Sequence, residues 1–214
     1  MKKHSKNFKA SIFVILFVAL IYSSACAFDF TEDVDPNEID VWDLVLEENL
    51  NYPPIPSDVV SEIRQIIKSD YTKLKKLGYD VSLIRNDEVI KITISIDNLF
   101  EFDSSEFLVE DGAKYFEPLI PYIRVTDAYR VIMVAHHDFS LESEEAEELT
   151  YNRVINIIKW LKTKHANAKN IIPYSMGNDD PLTSDKSKKG QKKNRRLDVY
   201  ILPGKYIIKY VKEK

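Results

Sequence analysis

The sequence predicts an α+β fold, a two-layer α/β sandwich with the order β-α-β-α-β-β after a preceding amphipathic helix. Three observations support this fold. Isoleucines alternate with polar residues between positions 88 and 96, which is the period of a strand with one buried face. Apolar residues recur at helical spacing between 144 and 164, and the short apolar run at 130–135 fits a central strand buried on both faces.

The remaining elements follow from local signals along the chain. Ser57 and Asp58 are typical of a helix start and Gly78 of its end, so an amphipathic helix precedes the first strand. A second helix is expected around 110–122, where Pro118 should kink or shorten it. Further strands are expected at 171–174 and 197–202, and residues 206–211 could add one more.

The composition limits the kinds of site and of function that the chain can have. Its 214 residues are 44% hydrophobic with a formal net charge of −4, which indicates one globular domain plus appendages. The single cysteine, Cys26, excludes an intrachain disulfide and a thiolate metal or iron–sulfur site. The mild acidity argues against a dedicated nucleic-acid-binding protein.

Residues 1–27 have the pattern of a targeting segment. Lysines precede a chargeless apolar stretch, which is typical of an exported protein. The segment is either a signal peptide cleaved after small residues or a lipoprotein signal in which Cys26 is acylated. An uncleaved anchor is a third possibility, because the chargeless stretch is close to the roughly 20 residues that span a bilayer.

The exported part divides into four regions. Residues 28–56 are acidic and proline-rich and are interpreted as a tether or partly ordered arm, in which only a short apolar patch at 41–46 could pack. Residues 57–88 supply the amphipathic helix and a connector, and 89–204 form the main domain. Residues 205–214 form a basic tail or an extra strand. Single-sign charge blocks of this kind are usually solvated faces.

Four motifs carry a resemblance to a known family. The chain has FEFDS at 100–104, AHHD at 135–138, LTYNRV at 149–154 and GQKKNRRL at 190–197. These blocks resemble, in the same order, the Phe-x-Phe-Asp-Ser, Gly-His-Thr-Asp, Leu-Ser-x-x-Arg-Ala and Gly-Arg-x-x-Asn-Arg-Arg-Val blocks of the OmpA-like C-terminal domain. That domain is shared by outer-membrane proteins, peptidoglycan-associated lipoproteins and flagellar stator subunits.

The resemblance implies non-covalent binding of peptidoglycan through the diamino acid of the stem peptide. By the family pattern, Asp138 accepts from the ligand's ammonium and Arg153 donates a planar fork to its carboxylate. Asn194, Arg195 and Arg196 are further candidates for contact with the wall. For these three residues a structural role at the start of the last strand is an equal alternative, and for Asp138 and Arg153 the alternative is a plain ion pair.

The loop that carries Asp138 departs from the family pattern. Ala135 and His137 replace a glycine and a threonine, and Ala146 stands where an asparagine often reaches the ligand. Five glutamates between 142 and 148 would repel a stem peptide unless they point into solvent. A different diamino acid, such as ornithine or lysine, a weaker site, or a fold reused to bind protein would each fit these changes.

Two other interpretations of the charged clusters are weaker. His136, His137 and Asp138 could be a metal or general-base cluster, but neighbours on a strand point to opposite faces. The basic residues 188–196 could be a nucleic-acid patch, but no aromatic side chains are interleaved with them. We therefore expect no metal, no cofactor, no catalysis and no nucleic-acid partner.

The sequence thus predicts an exported protein of the cell envelope, in the outer membrane or periplasm, that ties a membrane to the wall. Its expected partners are peptidoglycan, other envelope proteins, and the membrane through the N-terminal signal or lipid anchor. The alternative is an envelope scaffold whose domain binds a protein partner and has lost the wall ligand.

Overall fold

The computed structural model describes residues 40–125, 127–164, 166–167, 169 and 171–214. The predicted targeting segment at 1–27 and residues 28–39 of the acidic stretch therefore lie outside the described residues. Within them, five strands form one sheet and are neighbours in the order Asp80–Ile84, Val89–Ser95, Arg196–Pro203, Tyr129–His136 and Ile171–Ser175. The last two strands in this order are parallel, and the other neighbours are antiparallel.

The strands are β1 (Asp80–Ile84), β2 (Val89–Ser95), β3 (Tyr129–His136), β4 (Ile171–Ser175) and β5 (Arg196–Pro203). The helices are α1 (Leu46–Asn51), α2 (Val60–Lys76), α3 (Val109–Phe116), α4 (Ile120–Arg124), α5 (Ser143–Thr163), α6 (Lys188–Asn194) and α7 (Lys205–Glu213). Short 3-10 turns occupy Ile96–Asn98 and Glu117–Leu119. The predicted two-layer sandwich and its β-α-β-α-β-β core are confirmed.

One face of the sheet carries the main hydrophobic core. Alternate side chains of the three central strands, such as Ile92, Met133 and Val199, are buried there. The inner faces of α2, α5 and α7 pack on them through residues that include Ile67, Ile157 and Ile207. Because strand side chains alternate and helix side chains recur every three or four residues, the sequence pattern already specifies this layer.

The opposite face is covered in part by residues that the sequence analysis assigns to the tether, so that assignment is wrong for 41–56. Val41, Leu46 and Leu50 pack on a second apolar cluster, which includes Ile132 and Tyr200. Residues Val41–Lys214 form one compact unit. Short acidic helices bury few side chains, and that is why composition alone did not reveal this layer.

Polar contacts hold this covering segment in place. Asn49 donates through Nδ2 to the Val41 carbonyl at 2.6 Å and to the Tyr174 hydroxyl at 2.6 Å. Arg85 donates to the carbonyls of Leu50 at 3.2 Å and Pro53 at 3.0 Å. The cover is thus fastened by side chains that lie far apart in sequence.

Two expectations about the chain ends of the domain need correction. The connector at 57–88 contains the edge strand β1, which pairs with β2 through a turn whose residues Arg85, Asn86 and Asp87 have positive φ. The segment 206–211 belongs to helix α7 and is not a strand. Its apolar residues Ile207 and Val211 lie four positions apart, and both are buried against the core.

The kink predicted at Pro118 is confirmed. Helix α3 ends at Phe116, a 3-10 turn that contains Pro118 follows, and α4 begins at Ile120. Proline has no amide hydrogen to donate, so it breaks the helical ladder at this point.

Candidate functional site

The predicted site residues gather where β3 ends and β5 begins. Asp138 follows β3, Arg195 lies between α6 and β5, and Arg153 lies in α5. We call the group formed by Asp97, Phe102, Asp138, Arg153 and Arg195 the strand-end cluster. Four of its five members carry charge, and the fifth is an aromatic side chain.

Arg153 is fully buried. Its Nε donates to the Ser104 carbonyl at 2.9 Å, and its Nη2 donates to the carbonyls of Glu101 at 3.1 Å and Phe102 at 2.5 Å. Its Nη1 is buried and has no hydrogen-bond partner in the part of the chain that the structure describes. A buried guanidinium donor without a partner is costly, so this atom is poised for an acceptor.

The electrostatics of Arg153 reflect this environment. The pKa of Arg153 is lowered to about 10, chiefly by burial and also by the positive charge of Arg195. The carboxylates of Asp97, Asp103 and Asp138 act on the pKa in the opposite direction. Arg153 stays protonated at neutral pH, and its Nη1 is unpaired among the described residues.

Asp138 is also buried, and its two oxygens have different partners. Oδ1 accepts from the Ser140 backbone N–H at 3.0 Å and from the Ser140 hydroxyl. Oδ2 accepts from Nη1 of Arg195. Burial alone would raise the pKa of Asp138, but the bonds from Ser140 and Arg195 outweigh it and hold that pKa below its ordinary value. The carboxylate is therefore ionised.

Arg195 links two carboxylates. Besides Asp138, it donates to Asp97 through Nε at 2.9 Å and through Nη2 at 3.1 Å. The hydrogen bond to Asp97 is the main cause that raises the pKa of Arg195. The ring of Phe102 lies against the guanidinium, with its centroid 5.0 Å from Cζ.

Phe102 forms the outer wall of the cluster. Its ring meets the His137 ring edge-on at 5.8 Å, yet 48% of the residue is exposed. The backbone carbonyl of the same residue accepts from Arg153. Phe102 therefore contacts Arg153, Arg195 and His137, and it does so where part of its surface is exposed to solvent.

Asn194 has a structural role beside the site. Its side-chain amide exchanges two hydrogen bonds with the backbone of Thr183 and donates to Asp185 at 2.6 Å. Asp185 in turn accepts from the Phe139 N–H at 2.8 Å. Asn194 thus positions the loop next to Asp138 and is itself buried.

The glycine of the same motif is required by a close approach. A Cβ at Gly190 would lie 2.1 Å from the Ser184 carbonyl oxygen. No side chain other than hydrogen fits there without moving the loop. The GQKKNRRL block therefore serves first to lock residues 183–185 onto helix α6.

Arg196 belongs to a separate group, which we call the sealed network, formed by Lys91, His136, Asp180, Arg196 and Asp198. Arg196 pairs with Asp198 through Nε at 2.9 Å and with Asp180 through Nη2 at 2.8 Å. Asp198 also pairs with Lys91 at 2.9 Å and lies 3.3 Å from Nε2 of His136. Neither Asp138 nor Arg153 is among the partners of Arg196, so the structure does not bring this residue to the strand-end cluster.

The two neighbouring histidines point to different groups, as strand alternation predicts. His136 faces the sealed network, while Nδ1 of His137 lies 3.3 Å from Asp138. Among the described residues, no group of three or more His, Cys, Asp or Glu side chains could hold a metal ion. The glutamates between 142 and 148 are all exposed.

The sequence analysis assigned no role to three residues of this region: Asp97, which accepts from Arg195, Phe102, whose ring lies on Arg195, and Ser140, which donates to Asp138. Phe102 stands in a recognised motif, so its position could have been given a role. Asp97 has no motif signal, because its contact with Arg195 joins residues 98 positions apart.

No protein-family model matches the chain. Among curated proteins, the chain is 24% identical over 112 residues to outer membrane protein A of Bordetella avium, covering 52% of this chain and 57% of that protein. It is 27% identical over 152 residues to motility protein B of Bacillus subtilis (strain 168), covering 68% of this chain and 56% of that protein. The chain therefore spans little more than half the length of the curated relatives it matches.

Solved structures show the same fold. A MotB-like protein from Desulfovibrio vulgaris matches with a TM-score of 0.58 at 15% identity, covering 67% of this chain and 94% of that one. The periplasmic domain of Helicobacter pylori MotB matches with a TM-score of 0.51 at 18% identity, covering 64% of this chain and 88% of that one. No helix among the described residues is long and apolar enough to cross a membrane. The resemblance of this chain to the OmpA-like domain family, read from its four motifs, is confirmed.

Proposed function

We propose that the domain binds cell-wall peptidoglycan without catalysis, through the diamino acid of the stem peptide, at the strand-end cluster. The observation that carries this proposal is the unpartnered Nη1 of Arg153, buried in the same cluster as the ionised Asp138. The side-chain end of diaminopimelate has an ammonium and a carboxylate on one carbon. A buried guanidinium donor and a carboxylate acceptor match those two charges.

The way Arg153 is held supports a binding role. Three backbone carbonyls of residues 101–104 fix Nε and Nη2, so Nη1 is held in place before a ligand arrives. A donor with a fixed direction loses little entropy on binding. The same bonds also tie residues 101–104 to helix α5, so Arg153 contributes to stability as well.

The acidic loop does not oppose this function. The glutamates between 142 and 148 lie in solvent, where their charge is screened over about 8 Å at physiological ionic strength. Asn194 supports the loop that carries Phe139, and in this proposal it acts on the ligand only through that loop. Arg195 contacts the site directly, and Arg196 serves the fold.

The wider role that we propose is to tie a membrane of the envelope to the wall. A cleaved or acylated N-terminus at Cys26 would place the domain outside the cytoplasm, in the periplasm or at the outer membrane. Incorporation of a palmitate analogue by the wild type, but not by Cys26→Ala, tests the lipid anchor. The second candidate function, a scaffold for another envelope protein, is favoured by the exposed apolar rings of Phe102 and Phe139.

A pull-down with purified sacculi tests the proposed function. Wild-type protein should sediment with sacculi that contain diaminopimelate, and Asp138→Asn and Arg153→Lys should each weaken binding about tenfold to a hundredfold. Arg153→Lys keeps the charge but loses the Nη1 donor that the three backbone carbonyls hold in place, so it probes the donor geometry. Melting temperatures measured in parallel show how much of each loss comes from unfolding.

The matched control is Asp87→Asn. Asp87 forms an exposed ion pair with Lys68 at 2.9 Å, away from the strand-end cluster, so its loss should leave sacculus binding unchanged. Failure of the folded wild-type protein to bind sacculi would overturn the peptidoglycan proposal and favour the scaffold.

A further inference from the structure

The ammonium position of the proposed site is already taken by a residue of the protein. Asp138 has no exposed surface. Its Oδ1 accepts two hydrogen bonds from Ser140, and its Oδ2 accepts from Nη1 of Arg195. A cation from a ligand can therefore reach Asp138 only after Arg195 has withdrawn.

Arg195 has a second carboxylate that can keep it after withdrawal. Two of its nitrogens donate to Asp97, at 2.9 and 3.1 Å, while only Nη1 reaches Asp138. Breaking the single bond to Asp138 leaves the two-pronged pair with Asp97 intact. The half-exposed ring of Phe102 lies over the guanidinium of Arg195.

We propose that Arg195 is an internal occupant of the ammonium subsite, which competes with the ligand and sets the selectivity of the site. This inference rests on the proposed function. A ligand must supply an ammonium to replace Arg195 at Asp138, and it also gains the bond from Nη1 of Arg153 to its carboxylate. A simple amine offers only the first contact, whereas a group with both charges on one carbon offers both.

The inference reverses the role that the family motif suggests for this residue. If Arg195 contacted the wall, its removal would weaken binding. If Arg195 competes with the ligand, its removal frees Asp138 and strengthens binding. The sign of one measured change therefore separates the two roles.

The test measures the affinity of Arg195→Gln for sacculi and for a soluble muropeptide that contains diaminopimelate. We expect binding about tenfold tighter than wild type, because one charge-assisted hydrogen bond no longer has to be displaced. Arg195→Lys should be intermediate, because one ammonium cannot bridge both carboxylates as the guanidinium does. Melting temperatures confirm that each variant is folded.

A matched control separates competition from a general change of charge. Lys192 lies 3.7 Å from Asp97, is exposed and does not contact Asp138, so Lys192→Gln removes the same charge without opening the subsite. It should leave affinity near the wild-type value. Asp97→Asn should have the opposite effect to Arg195→Gln, because Asp138 then becomes the only carboxylate left to hold Arg195.

The outcomes distinguish this inference from the function on which it rests. Tighter binding by Arg195→Gln with an unchanged Lys192→Gln supports internal competition. Binding by the wild type that Arg195→Gln weakens or leaves unchanged overturns the role of Arg195 and leaves the proposed function intact. If the wild type and Arg195→Gln both ignore sacculi and the muropeptide, the proposed function fails and the inference fails with it.

Discussion

Two consecutive arginines, Arg195 and Arg196, end in groups with different properties. Arg195 joins the strand-end cluster, where the ring of Phe102 faces solvent and Nη1 of Arg153 has no partner among the described residues. Arg196 joins the sealed network, where Asp198 has an ion pair with Lys91 and another with Arg196. Both groups bury an aspartate, but every guanidinium nitrogen of Arg196 donates a hydrogen bond, whereas Nη1 of Arg153 donates none to the described residues.

The comparison shows that the partners of a buried charge distinguish a structural role from a binding role. Removal of one partner from a buried ion pair is strongly destabilising, so the pair of Arg196 with Asp198 holds elements of the fold together. A buried donor without a partner raises the free energy of the folded protein, and an acceptor on a ligand can remove that cost. The neighbouring arginines thus indicate different roles for chemically identical side chains.

The largest expected effect comes from breaking the sealed network. Asp198→Asn leaves Arg196 and Lys91 without their shared buried counter-charge, so the free energy of unfolding should fall by about 3 kcal/mol or more. Denaturant titration measures this change. Asp87→Asn, which breaks an exposed ion pair with Lys68, should cost less than about 1 kcal/mol.

In Asp198→Asn, sacculus binding per folded molecule should persist, because none of the contacts given above joins Asp198 to the strand-end cluster. A loss of stability no larger than that of Asp87→Asn would contradict the distinction between the two groups.

A moderate effect is expected from acid. Burial lowers the pKa of His136 below 6.5, although the carboxylates of Asp198 and Asp180 act in the opposite direction and Arg196 acts in the same one. The folded protein therefore binds fewer protons at His136 than the unfolded chain does. The free energy of unfolding should fall as pH drops below about 6.5, by at most about 1.4 kcal/mol per pH unit for this group.

Denaturant titrations between pH 7.5 and 5 measure this slope, and His136→Gln should flatten it. His137 has a pKa lowered by burial as well, so His137→Gln should flatten the slope separately. An unchanged slope in both variants would show that neither histidine controls stability in this range.

The smallest expected effects come from removing one hydroxyl that donates to the buried aspartate of each group. Ser140→Ala removes a hydroxyl that donates to Asp138, and Thr93→Val removes one that donates to Asp198 at 2.8 Å. Each should lower the free energy of unfolding by about 1 kcal/mol. Only Ser140→Ala should also change affinity for sacculi, because only Asp138 belongs to the proposed site.

Equal effects of the two variants on binding would remove the functional contrast between the strand-end cluster and the sealed network. Thermal melts and sacculus binding measured on the same preparations supply the comparison.

The sequence by itself determined the elements whose period is strong. The alternating isoleucines of β2, the apolar run of β3 and the helical spacing of α5 are local patterns, and each was found close to its predicted bounds. The break at Pro118 follows from proline chemistry alone. The motifs also pointed to Asp138, Arg153 and Arg195 as site candidates, and the structure places these three side chains in one cluster.

Only the tertiary structure decided what those residues do. Period and motif cannot show that 41–56 cover the second face of the sheet, because that contact depends on bonds such as the one from Asn49 to Tyr174, 125 positions away. Nor can they show that Arg195 rests on Asp138 and Asp97 while Arg196 turns to Asp198. The direction of a charged side chain depends on which distant carboxylate lies within hydrogen-bond reach, and chain folding alone brings those groups together.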